Sequence, residues 1–152
     1  MSQFCRQPEF SFQLPDDWIS RTVISWSASP AAGYRVTPNV VVAYDKPRPG
    51  EDLDTYANRQ LKDLSASAQQ FHLDLRRHVV LGGRPAIEVI FHWQNGDSIH
   101  KQQQIYNLLP DGRVVLIANL ASSGDFPAVE PLFRNILGSF VWTDGGPSPS
   151  VG

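Results

Sequence analysis

Apolar residues recur along this chain with two different periods, and the changes of period mark its elements. Phe10, Phe12 and Leu14 alternate with polar neighbours before Pro15-Asp16-Asp17 turns the chain toward Trp18, which predicts a first strand and turn. A second strand is predicted over about Thr22–Ser27. After a loop holding Pro30, Gly33 and Pro38, the run NVVVAY at 39–44 predicts a third, apolar enough for burial on both faces.

The period then lengthens. Pro47, Pro49 and Gly50 make a loop, and Glu51, Asp52 and Asp54 place negative charge where a helix dipole favours it. Leu53, Tyr56, Ala57, Leu61 and Leu64 follow at helical spacing and predict a buried stripe. From about residue 71 the alternation returns: His72–Leu81, the turn Gly82-Gly83, and Pro85–Gln94. Asn95-Gly96 signals a type I′ hairpin, Ser98–Leu109 comes back, and Pro110-Asp111-Gly112 turns into Arg113–Ala121. A last helix begins near Asp125, with Phe126, Val129, Leu132, Phe133, Ile136 and Leu137 on one face and Gly138 at its end. Three strands, a helix, four antiparallel strands and a helix predict an α+β domain, a twisted antiparallel sheet carrying two long helices. Residues 1–142 form that single domain, and the Pro/Gly/Ser tail at 143–152 is expected to be flexible.

Composition narrows the function classes. A formal charge of −2, with thirteen Lys and Arg scattered along 152 residues, gives no basic field for nucleic acid or an anionic membrane surface. The single cysteine, Cys5, excludes an internal disulfide and suits a reducing compartment. The opening MSQFCRQPEF has no apolar core of a secretory leader, and no apolar run reaches the length of a membrane-spanning helix, so the expected location is cytoplasmic, without membrane insertion. In HLDLRRH, alternation groups His72, Asp74, Arg76 and His78 on one face, where Arg76 would repel a metal, so no metal is expected. Gly82-Gly83 opens no helix and lacks the dipole of a phosphate loop. No motif supports a cofactor or a catalytic constellation, and the chain reads as a non-enzyme.

What stands out is the placement of amides. A two-residue loop at Asn95-Gly96 sets Gln104 opposite Ile87, Gln102 opposite Val89 and His100 opposite Phe91. Ile87, Val89, Phe91, Trp93, Gln102, Gln104, Tyr106 and Leu108 then share one face, while Glu88, Lys101 and Gln103 point to a more solvated one. Gln60 repeats the oddity inside the stripe of the first helix. Two readings remain open: amides that bridge to backbone within the domain, or an apolar groove with amide hydrogen-bonders for a partner.

The order of elements resembles the DcrB-related family, whose fold is similar to that of Mog1 and PsbP, and within it the Eag chaperones of type VI secretion. The resemblance is carried by LPDDW at 14–18, YANRQLKDL at 56–64, QQIY at 103–106, RVVLIANL at 113–120 and the closing helix. It implies a dimeric cytoplasmic chaperone that shields the apolar N-terminal transmembrane helices of a PAAR- or Rhs-type effector. It also implies a groove with two glutamines, falling on Gln60 and Gln104, with Gln102 nearby. Val23, Val41, Ile87, Val89 and Phe91 are the apolar lining expected around them, each equally suited to plain core packing. The rival expectations are a DcrB- or PsbP-like accessory protein without a secretion role, or a small-ligand binder.

Overall fold

The computed structural model describes residues 2–6, 9–17, 22–29 and 33–144. In chain order the elements are β1 (Ser2–Arg6), β2 (Ser11–Pro15), β3 (Val23–Ser27), β4 (Asn39–Asp45), α1 (Leu53–Ser67), β5 (Gln69–Leu81), β6 (Arg84–Asn95), β7 (Ser98–Leu108), β8 (Val114–Ser122) and α2 (Phe126–Gly138). β1, which the alternation does not announce, pairs with β2 in a separate two-stranded ribbon. The other strands form one antiparallel sheet in the order β3-β4-β8-β7-β6-β5. This is the expected α+β fold. Trp18 and Pro30, read from sequence into a turn and a loop, lie outside the described residues.

Local chemistry sets the meander. Leu81 pairs with Arg84 across Gly82 (φ 56°) and Gly83 (φ 84°), the two positive dihedrals of a type I′ turn. The next hairpin differs from the expected one. Asn95 pairs with Ser98, so the loop is Gly96-Asp97, and only Gly96 carries a positive φ, as a type II′ turn requires. The register moves by two residues, setting Gln104 opposite Val89 and Gln102 opposite Phe91. Because the loop still has two residues, no side chain changes face.

Each helix covers one face. α1 starts with a capping box in which Asp52 and Thr55 exchange side-chain and backbone hydrogen bonds. Its Tyr56 and Ala57 pack with Ile87, Val89, Phe91, Tyr106 and Val114. On the other face, Phe126, Val129 and Phe133 of α2 pack with Ile90 and Ala121. The chain beyond α2 continues this cover: Phe140 and Trp142 lie against the core around Leu81, Ile105 and Ile117. The Trp142 Nε1–H donates to the Leu81 carbonyl at 2.9 Å, and the Arg84 guanidinium sits 4.4 Å over its ring. Asp144, at the start of the tail, pairs with Arg84 at 2.5 Å, while residues 145–152 lie outside the described residues.

Candidate functional site

The α1-side face of the sheet can be read in cross-strand rows. One runs Val89, Gln104, Ala118, Val41, Ser25; the next runs Phe91, Gln102, Leu120, Asn39, Ser27. α1 contacts β5, β6 and β7, the half of the sheet that holds the left end of each row. Polar anchors at its first two turns fix it there. The Tyr56 hydroxyl donates to Asp45 at 2.7 Å, Arg59 makes two bonds to Glu51, and Arg76 reaches Asn58 and the Asp54 carbonyl.

This docking separates the residues singled out from sequence. Ile87, Val89 and Phe91 are at most 1% exposed beneath α1, where they pack the core and line no open surface. Val41 is half-buried, and Val23 on the edge strand is 59% exposed. β4 is therefore covered less than its apolar run predicts, because α1 does not reach across the sheet. Around Val41 and Val23 the face carries Leu116, Leu120 and Ala43, all half-buried.

The glutamines also divide. On the α1 side, the Gln104 carboxamide donates to Gln102 Oε1 at 3.2 Å and accepts from the Tyr106 hydroxyl at 2.5 Å. Gln104 is buried, Gln102 is half-buried, and the buried Tyr106 ring meets Tyr56 edge-on. Burial pushes the Tyr106 phenol well above its ordinary pKa, so it stays a donor to Gln104. Gln60 is half-buried on α1, and its amide has no hydrogen-bond partner among the described residues.

Gln103 corrects the sequence reading. It is 3% exposed, not solvated, because α2 and the chain after it cover its face. Its amide donates to Glu88 Oε2 at 2.5 Å and accepts from Asn119 at 2.9 Å, while Arg77 holds the other Glu88 oxygen at 2.5 Å. Glu88 and Gln103 are thus partners in a buried polar chain. Nothing in local periodicity reveals this, since it depends on what packs over the second face.

The histidine stretch is rearranged too. Register shifts between Gln69 and His72 and between Leu73 and Leu75 break the alternation of β5. Arg76 and His78 turn to α1, where His78 approaches Asp54 at 3.1 Å. Asp74 instead accepts from His72 at 2.9 Å and His92 at 2.8 Å. Burial alone would raise the Asp74 carboxyl, but the two imidazoles and Lys101 outweigh it and hold it below its ordinary value. The grouping that argued against a metal is therefore not the one the strand adopts.

Elsewhere, a cavity of about 320 Å³ lies under the C-terminal strap, lined by Tyr44, Val115, Phe140, Trp142, Asp111 and Asp144. Asp111 is engaged by Arg113 and Asp144 by Arg84, so neither carboxylate is left as an acid or base for chemistry. The Cys5 side chain lies outside what is described.

No curated protein sequence matches this chain. Among solved structures, it is similar to PA94, a protein of unknown function from Pseudomonas aeruginosa, with 20% identity and a TM-score of 0.80 over 93% of this chain and 97% of the other. It is also similar to LpqN of Mycobacterium tuberculosis, which is involved in cell envelope biogenesis, at 14% identity and TM-score 0.59 over 82% and 84% of the two chains. The third is the cyanobacterial PsbP of Synechocystis sp. PCC 6803, at 14% identity and TM-score 0.54 over 93% and 92%. These likenesses establish the PsbP-like fold.

They also correct two expectations. The type VI secretion chaperone role gives way to the accessory alternative: the similar structures are a protein of unknown function, LpqN and a cyanobacterial PsbP, and none is described as a secretion chaperone. The cytoplasmic location, expected from that resemblance together with the sequence pattern, falls with it: none of the similar structures is described as cytoplasmic. No described helix is long and apolar enough to cross a membrane. The sequence matches the DcrB family over residues 9–137, most of its length, and the chain belongs to that family.

Proposed function

We propose that this chain is a non-catalytic accessory domain that binds a partner protein on the uncovered half of its α1-side face. One observation carries the reading. A short hydrogen-bonded ladder, Gln102–Gln104–Tyr106, borders the half-buried apolar residues Leu120 of β8 and Val41 and Ala43 of β4, which belong to none of the clusters packed under the two helices among the described residues. Apolar area supplies most of the affinity of such a surface, at about 25 cal/mol per Å². Amides add hydrogen bonds that fix orientation, since each offers both donor and acceptor. Gln60, whose amide has no partner among the described residues, extends that capacity from the helix.

The first test needs no identified partner. The dye anilinonaphthalene sulfonate is titrated into the wild-type chain, Val23→Asp, Val41→Lys and, as a control on the opposite face, Leu132→Asp. Dye emission is expected to fall by at least about half in the first two variants and to persist in the control, with melting temperatures preserved. Unchanged emission in both sheet variants, or loss only in the control, refutes the reading. Sedimentation velocity on the same samples reads whether a second copy is the occupant. A wild-type dimer that Val41→Lys converts to monomer identifies it.

A further inference from the structure

We infer that His72, Asp74 and His92 form a surface site for a divalent transition-metal ion of the zinc class. The three residues each present a ligand atom, and these atoms lie within 4.8 Å of one another. His72 and His92 are direct cross-strand partners on β5 and β6, and their rings stack at 5.0 Å. The bulge in β5 brings the Asp74 carboxylate to both, at 2.9 and 2.8 Å.

Two imidazoles and a carboxylate are the donor set that zinc and its neighbours select, with metal–ligand distances of about 2.0–2.2 Å. Such a geometry separates ligand atoms by about 3.3 Å, so the present spacing needs only small ring rotations. His72 is 67% exposed and His92 35%, which leaves the rings room to turn and gives the ion access from solvent. Three protein ligands leave one position of a tetrahedron to water.

The charge around the site decides its strength. Asp74 supplies the negative charge, and Arg76, which sequence alternation placed beside it, is engaged with α1. Among the described residues the cation paired with Asp74 is Lys101, whose Nζ lies 3.8 Å from Asp74 Oδ2. From that same position Lys101 Nζ lies 5.1 Å from the centre of the Phe126 ring. An occupied site would tie the edge strand β5 to β6 through side chains from both.

The test is isothermal titration of zinc chloride into the full chain carrying Cys5→Ser, which removes the thiol as a competing ligand. One ion per chain is expected. His92→Ala and His72→Ala are expected to weaken binding at least about tenfold, and Lys101→Met to tighten it about three- to tenfold. Zinc should raise the melting temperature of the parent chain and leave that of His92→Ala unmoved. Equal binding by parent and both histidine variants, or no saturable binding at millimolar zinc, overturns the site. If a histidine variant fails to fold, Lys101→Met decides, and unchanged affinity there overturns it equally.

Discussion

Replacing Gln103 by Met tests whether the buried polar chain on the α2 side is part of what holds the sheet together. Met fills nearly the same volume, so the change removes hydrogen bonds without opening a cavity. Gln103 donates to Glu88 at 2.5 Å and accepts from Asn119 at 2.9 Å, and these partners are 6% and 0% exposed. Water cannot replace the lost partner at either. Orphaning a buried amide donor costs about 1–3 kcal/mol, and depriving a buried carboxylate of a donor costs about 1.5–3. The sum is about 2.5–6 kcal/mol. With a urea slope of roughly 2 kcal/mol per M, the midpoint should fall by about 1–3 M.

Gln104→Met, the next residue along β7 but on the opposite face, gives the contrast. It strands the buried Tyr106 hydroxyl, while half-buried Gln102, which loses a long 3.2 Å bond, can turn to water, for about 1–2 kcal/mol in all. A double-mutant cycle sharpens the test. Asn119→Val alone leaves the Gln103 carbonyl unpaired, but in Gln103→Met/Asn119→Val neither group is stranded against the other. The double variant should therefore be no less stable than Gln103→Met alone. Strict additivity, or a Gln103→Met penalty below that of Gln104→Met, would refute the reasoning.

Four further outcomes are expected. Gly82→Ala forces a Cβ within 2.8 Å of the Trp142 ring at a φ of +56°, so it should cost about 2–3 kcal/mol and red-shift Trp emission as the strap lifts. Gly96→Ala meets nothing within 4 Å and should show only the backbone penalty of about 1 kcal/mol. The Arg59 hydrogen bond lowers the Glu51 carboxyl from 4.5 to about 2, outweighing the opposing effect of burial. Its stabilising contribution is thus complete above pH 4.5 and fades as pH falls through about 2, and Glu51→Gln should flatten that part of the acid unfolding curve. Tyr56→Phe removes the 2.7 Å bond to Asp45 and should lower stability by about 1.5–2 kcal/mol, read by urea unfolding, with α1 still docked through its apolar stripe.

Much of this architecture is local and therefore legible in sequence. The helical spacing of Leu53, Tyr56, Ala57 and Leu64 fixes α1, and the glycine pair at 82–83 closes the first hairpin. The even loop length at 96–97 decides which residues share a face, and that conclusion survives even though the register shifts by two. The groove residues were only partly legible. Ile87, Val89 and Phe91 lie on one face by parity, but parity does not say how far a helix reaches across it, and only the pairing of β4 with β8 brings Val41 onto that face.

The chain by itself determined the elements, the order of the meander and the two-sidedness of β6 and β7, because turn geometry and side-chain period act over a few residues. The tertiary structure alone decided that β4 inserts beside β8, and that α1 packs on β5, β6 and β7 while reaching β4 at its end through the Tyr56–Asp45 hydrogen bond. It alone buried Gln103 with Glu88, and placed Asp74 between two histidines through an irregular β5. Those outcomes depend on contacts between segments far apart in sequence. Burial and the hydrogen bonds it demands are set by what packs overhead, which no local pattern encodes.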